Sequence, residues 1–273
     1  MTRQMLLAAA GAIALAGCGK AESGRSEAAA PKVETREVEY QLNGETLKGF
    51  MAWDANATDK RPGVVVVHEW WGHNEHARNQ ARRLAEAGYP AFALDMYGNG
   101  QSTQHPDTAQ ALMMAAMSDP AKLVARFTAA LEQLRQDPHV DPERIAAIGY
   151  CFGGAVVLSM ARAGTDLDAV ASFHGALAGL TPADSGNVKA RILVMTGAAD
   201  PFVPAEQVEA FRQEMTSAGA GDRTTIISYP GAKHGFTNPD AASFGMDALA
   251  YDATADQQSW AEMLKMFGEV FGR

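Results

Sequence analysis

The length and charge of the chain already exclude several classes of protein. It has 273 residues, enough to bury a full hydrophobic core without stabilising disulfides. The 32 acidic side chains outnumber the 23 basic ones, and this imbalance argues against non-specific binding to nucleic acid, which needs a basic surface. With 47% hydrophobic and 20% charged residues, the composition is that of a globular protein rather than a disordered chain or a multispan membrane protein.

The N-terminus has the pattern of a bacterial export signal. Arg3 precedes an uncharged apolar run over residues 6–16, which is shorter than the roughly 20 residues that span a membrane. The run ends in Leu-Ala-Gly-Cys18 and resembles a lipobox, where the signal is removed before a lipidated cysteine. We therefore interpret residues 1–17 as a lipoprotein signal peptide and residues 18–32 as the lipidated cysteine and a flexible tether. The alternative is an ordinary signal peptide with an incidental cysteine.

Residues 33–273 predict one α/β domain. Asn43-Gly44 between two strand-like segments is a hairpin signal, and apolar runs then alternate with amphipathic stretches. This alternation predicts a mostly parallel, doubly wound sheet with helices on both faces and an N-terminal antiparallel hairpin. The predicted strands are Val38–Leu42, Thr46–Trp53, Gly63–His68, Ala91–Met96, Arg144–Gly149, Ala169–Phe173, Arg191–Thr196 and Thr224–Tyr229.

Two helix starts can be read from capping residues. Asp119 followed by Pro120 predicts an N-cap with proline at the first helical position. Thr254 and Gln257 have the spacing of a capping box before the apolar stripe of the last helix.

Cys151 lies in the segment Gly-Tyr-Cys-Phe-Gly, between a predicted strand and a predicted helix. This is the spacing of a nucleophile elbow, with cysteine in the usual serine position. A helix that begins directly after the cysteine favours its thiolate, and the residue after the nucleophile, Phe152, supplies a backbone N–H to the oxyanion hole. The alternative is a buried structural cysteine.

An elbow of this kind needs an acid and a histidine later in the chain, in that order. Asp200 follows the strand Arg191–Thr196, and His234 follows the strand Thr224–Tyr229, so both come at the carboxyl ends of strands, where such folds place catalytic groups. His174 also follows a strand, but it precedes Asp200 and breaks the order. The sequence therefore predicts a triad of Cys151, His234 and Asp200.

Glu69 stands at the end of a predicted central strand, in the segment His68-Glu69-Trp70-Trp71-Gly72. The zinc motif His-Glu-x-x-His is not completed, because Gly72 occupies its last position and the segment reads as strand and loop rather than helix. We expect no metal and no cofactor.

Glu69, the Cys151 elbow, Asp200 and the segment His234-Gly-Phe together resemble the dienelactone hydrolase family of the α/β-hydrolase fold, over nearly the whole of residues 33–273. The resemblance implies that Cys151 is the nucleophile, His234 the acid and base, and Asp200 the residue that orients it. It also implies that Glu69 hydrogen-bonds the resting thiol and that the backbone N–H groups of Phe152 and Trp70 form the oxyanion hole.

The chain departs from this family at two positions that contact the substrate carboxylate. Relatives that cleave dienelactone carry arginines where this sequence has Asn99 and Asn238. Losing two charge-assisted hydrogen bonds, at about 1.5–3 kcal/mol each, favours neutral substrates over an anionic lactone. We expect a pocket that includes Trp71, Tyr97, Asn99 and Asn238, whereas the methionines Met113, Met114 and Met117 have a spacing more typical of a core.

The sequence thus predicts a hydrolase that cleaves a lactone or carboxylic ester through a cysteine thioester, with no nucleic acid partner. The alternatives are a broad carboxylesterase or acyltransferase acting on neutral esters, and a non-catalytic binding lipoprotein of the envelope. We expect a monomer that is exported and attached to a membrane through Cys18, in the periplasm, at the outer membrane or at the cell surface.

Overall fold

The structure is a computed structural model that describes residues 1–2, 30–179 and 182–272. Cys18, with almost all of the predicted signal peptide and tether, lies outside the described residues, so its lipidation stays a prediction. Within the described ranges, no helix is long and apolar enough to cross a membrane.

Eight strands form one sheet in the unit Pro31–Arg273. They are β1 (Val33–Leu42), β2 (Glu45–Asp54), β3 (Arg61–Val67), β4 (Ala91–Ala93), β5 (Val140–Tyr150), β6 (Ala169–Phe173), β7 (Arg191–Gly197) and β8 (Thr224–Tyr229). The spatial order is β1-β2-β4-β3-β5-β6-β7-β8. Strands β1 and β2 pair antiparallel across the Asn43-Gly44 turn, β2 pairs antiparallel with β4, and all later pairs are parallel. The predicted hairpin and parallel sheet are confirmed.

The sheet is buried on both faces at its centre. Every residue from Val64 to Val67 in β3 is fully buried, as expected for a strand between two helical layers. The helices are α1 (Glu75–Glu86), α2 (Pro106–Met117), α3 (Pro120–Arg135), α4 (Phe152–Arg162), α5 (Ala205–Ser217) and α6 (Ala253–Phe271). Two apolar clusters pack on the two faces of the sheet: Phe127 of α3 and Val157 of α4 belong to one, and Phe267 of α6 belongs to the other.

The helix starts confirm one predicted cap and correct the other. The Asp119 side chain accepts a hydrogen bond from the Lys122 backbone N–H at the start of α3. Helix α6, however, is capped by Asp252 rather than by a Thr254–Gln257 box, because the Asp252 carboxylate accepts the N–H groups of Thr254 and Ala255.

Strand β4 is shorter than the predicted segment Ala91–Met96, and the cause is Asp95. Its buried carboxylate accepts the backbone N–H groups of Tyr97, Gly98 and Gly100, which turns the chain out of the sheet. This turn fixes Tyr97 beside the carboxyl ends of the central strands, where the candidate site lies.

Candidate active site

Cys151 occupies a sharp turn between β5 and α4. Its backbone has φ 54° and ψ −116°, a conformation that non-glycine residues seldom adopt and that is typical of functional sites. The elbow requires glycine at positions 149 and 153 because there is no room for a side chain at either one. A Cβ at Gly149 would overlap the Gly153 carbonyl, and one at Gly153 would overlap the Val67 carbonyl. The elbow predicted from the spacing is therefore present, with the Cys151 side chain half-buried.

His234 and Asp200 meet beside this turn. His234 Nδ1 lies 2.8 Å from Asp200 Oδ2, and both side chains are almost completely buried. The other Asp200 oxygen accepts the Phe202 backbone N–H at 2.8 Å, which fixes the carboxylate. The His234 carbonyl accepts the Ala250 N–H at 3.1 Å, which holds the loop after β8 in place. Cys151, Asp200 and His234, which follow β5, β7 and β8, thus lie close together, as their order along the chain predicts.

The charge state of His234 follows from its neighbours. Burial lowers the pKa of this imidazole, but the electrostatic effect of Cys151 and the hydrogen bond and charge of Asp200 outweigh it and raise the pKa to about 10. The raised pKa means that the site favours an imidazolium beside Cys151 at neutral pH.

Two backbone segments next to Cys151 have the positions expected of an oxyanion hole. Phe152 is the first residue of α4, and the first N–H groups of a helix have no intrahelical acceptor. Trp70 lies in the loop after β3, where the Tyr97 hydroxyl donates a 2.9 Å hydrogen bond to the Trp70 carbonyl. Burial raises the pKa of Tyr97, so this hydroxyl remains a donor. Tyr97 thus holds the Trp70 backbone rather than lining the pocket.

The Glu69 side chain has a different partner from the one that the family resemblance implies. Its Oε2 accepts a 2.7 Å hydrogen bond from Asn238 Nδ2, and both side chains are buried. Among the described residues, no hydrogen bond joins Glu69 to the Cys151 thiol. Asn238 explains this difference, because its side-chain amide N–H is the buried donor that binds Glu69. The Asn238 Oδ1 accepts the Asp240 backbone N–H, which fixes the orientation of the amide.

A cavity of about 510 Å³ opens onto Cys151 and His234. Its wall is mainly apolar, and α2, α4, the loop after β7 and the segment 246–249 contribute to it. The other lining residues are Trp70, Pro106, Asp107, Gln110, Met113, Met117, Phe152, Ala155, Ala176, Phe202, Met246 and Leu249. Among the described lining residues there is no lysine or arginine.

The four residues predicted for the pocket do not line this cavity, and each prediction is corrected. Trp71 is buried and stacks on Phe244, with ring centroids 3.8 Å apart. Tyr97 points its hydroxyl at Trp70, Asn238 bonds Glu69, and Asn99 is exposed in a separate groove beside the β1–β2 turn. Met113 and Met117, whose spacing favoured a core, pack against the core and also line the cavity, while Met114 is 59% exposed. No pattern in the sequence indicates Phe202 or Met246, because their loops are placed only by tertiary packing.

His174, the histidine outside the expected order, does not contact Asp200. Its Nε2 lies 2.8 Å from the Thr237 hydroxyl, and its ring packs edge-on against His234. Burial holds the pKa of His174 well below its usual value, and the charges of His234 and His76 lower it further. It is a neutral neighbour of the catalytic candidate. Across the described ranges, no group of three acidic, cysteine or histidine side chains is placed to hold a metal ion.

The comparisons with known proteins agree with this architecture. Residues 47–271 match the model of the family described as the dienelactone hydrolase family. A protein of Aquifex aeolicus (strain VF5), named as a candidate carboxymethylenebutenolidase, is 30% identical over 206 residues, which cover 74% of this chain and 86% of that protein.

Two solved structures are similar along almost their whole length. One is the dienelactone hydrolase-like promiscuous phosphotriesterase P91 from metagenomic libraries, at 37% identity and a TM-score of 0.81, covering 87% of this chain and 98% of the other. The second is a candidate dienelactone hydrolase from Klebsiella pneumoniae, at 26% identity and a TM-score of 0.70, covering 87% and 99%. The predicted α/β-hydrolase fold is confirmed.

Proposed function

The chain belongs to the dienelactone hydrolase family, and we propose that it hydrolyses neutral carboxylic esters or lactones through a thioester on Cys151. That it is a lactone or carboxylic ester hydrolase follows from the family. We additionally propose which residues catalyse the reaction and that the substrate is uncharged. The observation that carries it is the juxtaposition of an elbow cysteine with the His234–Asp200 pair at the floor of an apolar cavity.

The reaction has two steps, acylation of Cys151 and hydrolysis of the thioester, and His234 transfers a proton in each. The Cys151 sulfur attacks the carbonyl carbon, a C–S bond forms, and the oxyanion is bound by the Phe152 and Trp70 N–H groups. The C–O bond to the alcohol then breaks, and the His234 imidazolium protonates the leaving alkoxide. His234 next takes a proton from water, the hydroxide adds to the thioester, and the C–S bond breaks. The products are one acid and one alcohol for each water consumed.

The preference for neutral substrates is supported by the cavity wall. An anionic lactone would enter a space whose described lining offers no lysine or arginine, and the two asparagines, at positions where the family resemblance implies arginines, lie outside that lining. The free energy of binding a carboxylate there therefore lacks the charge-assisted hydrogen bonds that would offset its desolvation.

A panel of substrates tests this proposal directly. The purified protein is assayed with neutral 4-nitrophenyl esters, neutral lactones and an anionic lactone, with Cys151→Ala as the control for background hydrolysis. We expect neutral substrates to be turned over and Cys151→Ala to be inactive while folded. Equal turnover by Cys151→Ala contradicts the nucleophile, and a preference for the anionic lactone contradicts the substrate class.

A neutral phosphate triester is a second candidate substrate. The similar structure P91 is described as a promiscuous phosphotriesterase, and the apolar cavity above Cys151 suits an uncharged triester equally well. Attack of sulfur on phosphorus would release an alkoxide or phenoxide, and water would then release the phosphate diester. Release of 4-nitrophenolate from paraoxon, lost in Cys151→Ala, would support this activity, and its absence would exclude it.

We also propose that the protein is a lipoprotein anchored in the bacterial cell envelope through Cys18. The support is the N-terminal sequence alone: a basic start, an apolar run and Leu-Ala-Gly before the cysteine. Several acyl chains on Cys18 would give a stable attachment. Expression of Cys18→Ser in a bacterial host should move the protein out of the membrane fraction, whereas Cys151→Ser should leave it there. Membrane retention of Cys18→Ser would contradict the anchor.

A further inference from the structure

The cavity above Cys151 has one charged side chain in its wall besides His234. Asp107, in the first turn of α2, lines the same cavity, and no lysine or arginine stands among the described lining residues. Within the described part of the chain, the Asp107 carboxylate forms no ion pair and no hydrogen bond to another side chain. Asp107 is exposed to solvent, so its negative charge acts on an occupant of the cavity with the strength of a surface ion pair.

The same wall presents aromatic rings. Trp70, Phe152 and Phe202 line it, and Phe202 is 47% exposed, with its ring perpendicular to that of His234 at a centroid distance of 5.0 Å. The faces of such rings attract cations, and aromatic rings combined with a carboxylate are a chemistry that recognises quaternary ammonium groups. Apolar walls suit the methyl groups of such a cation better than they suit a strongly hydrated primary amine.

The charge of the whole chain acts in the same direction. A formal net charge of −9 creates a negative field that concentrates cations and repels anions near the surface. A cationic ester would therefore arrive more often than an anionic one and would meet a carboxylate at the wall.

We propose that the substrates of this site include esters of quaternary-ammonium alcohols, with the ammonium group held between Asp107 and the aromatic wall. This inference rests on the proposed function and extends its substrates from neutral to cationic esters, because it assigns the alcohol portion of an ester that Cys151 cleaves. The bonds made and broken are those of the neutral reaction: the alcohol leaves with a proton from His234, and water releases the acid.

An isosteric pair of substrates isolates the contribution of the charge. Butyrylcholine and 3,3-dimethylbutyl butyrate differ only in having nitrogen or carbon at one position, and both release butyrate. With the purified full-length protein at low ionic strength, we expect kcat/KM to be about tenfold higher for butyrylcholine, from one cation–π contact and one exposed ion pair. Added salt should reduce the ratio.

Two variants separate the role of Asp107 from a general charge effect. Asp107→Asn should lower the ratio of the two kcat/KM values by about threefold, and any general loss of activity cancels in that ratio. Glu86→Gln removes one negative charge at the exposed end of α1, outside the cavity, and should leave the ratio unchanged.

The outcomes distinguish this inference from the function on which it rests. A ratio of one or less with turnover of the neutral ester overturns the ammonium site and leaves the hydrolase intact. A high ratio that Asp107→Asn does not change overturns the role of Asp107. If neither butyrate is hydrolysed but 4-nitrophenyl butyrate is cleaved, only the ammonium inference is overturned. If 4-nitrophenyl butyrate is not cleaved either, the proposed function is overturned as well.

Discussion

Asn238 Nδ2 donates a 2.7 Å hydrogen bond to Glu69 Oε2, and this contact joins the loop after β3 to the loop that carries His234. The two residues are 169 positions apart in the chain, and both side chains are buried. The bond therefore connects the segment that holds Trp70 with the segment that holds the catalytic histidine candidate. In this chain Asn238 hydrogen-bonds the buried Glu69 carboxylate instead of facing the substrate.

Asn238→Ala should destabilise the fold because it leaves the buried Glu69 carboxylate without this partner. The expected loss in the free energy of unfolding is about 1–3 kcal/mol, measured by urea denaturation. Asn99→Gly serves as the control, because Asn99 is exposed and its φ of 56° suits glycine. Equal effects of the two substitutions would contradict the importance of the Asn238–Glu69 bond.

Tyr97→Phe should slow catalysis by loosening the Trp70 backbone. The variant loses the hydroxyl that donates to the Trp70 carbonyl, and we expect kcat to fall about five- to tenfold with KM nearly unchanged, a fraction of the effect of deleting an oxyanion-hole donor. Tyr229→Phe is a matched control, because the Tyr229 hydroxyl is buried without a partner among the described residues. A fall in kcat of equal size in both variants would count against the role of Tyr97.

Cys151→Ala should lower the pKa of His234. The electrostatic effect of Cys151 is the largest of those that raise this pKa to about 10, so removing the side chain leaves burial opposed only by Asp200. The histidine ring resonances, followed by NMR across the pH range, report the midpoint. An unchanged midpoint of the His234 titration would mean that Cys151 does not affect the pKa of the imidazole.

The same pKa predicts how stability depends on pH. Because the folded-state pKa of His234 is raised from 6.5 to about 10, its stabilising contribution is fully present below about pH 6.5 and is lost as the pH rises towards 10. The free energy of unfolding of the native protein should therefore fall between these values by more than that of His234→Gln. Parallel pH curves for the two proteins would contradict the shift.

Gly153→Ala should disrupt the elbow, since the added Cβ would meet the Val67 backbone carbonyl, which has no room to move within the central strand β3. We expect a loss of about 1–3 kcal/mol in the free energy of unfolding, together with a loss of activity. Gly221→Ala is the comparison, because its nearest neighbour would be a side-chain hydroxyl at 3.3 Å. A Gly153→Ala protein as stable as Gly221→Ala would show that the elbow is looser than the contacts indicate.

Local patterns made much of the fold and site predictable. Runs such as Val64–Val67 identified buried strands, and the glycine spacing around Cys151 identified the elbow, since a strand, a turn and a helix start lie within a few residues. Chain order then selected Asp200 and His234, which the structure places in contact. The strands and the elbow depend on neighbours in sequence, and the choice of Asp200 and His234 depends on their order along the chain.

The features that the sequence did not reveal depend on tertiary packing. Nothing near Glu69 in the sequence indicates that its carboxylate meets Asn238, and nothing near Met113 indicates that α2 contributes to the cavity wall as well as to the core. The capping of α6 by Asp252 instead of Thr254 shows that even local signals compete when two capping residues stand close together.

In the proposed mechanism Cys151 carries the acyl group during turnover. Acid quenching of the protein during hydrolysis of 4-nitrophenyl butyrate, followed by mass spectrometry of the intact chain and its peptides, detects this acyl group. We predict one butyryl group on the peptide that contains Cys151, with more of it in His234→Ala if deacylation is slowed further than acylation. Turnover without any acylated Cys151 in either protein, or an acyl group on another residue, would contradict the account.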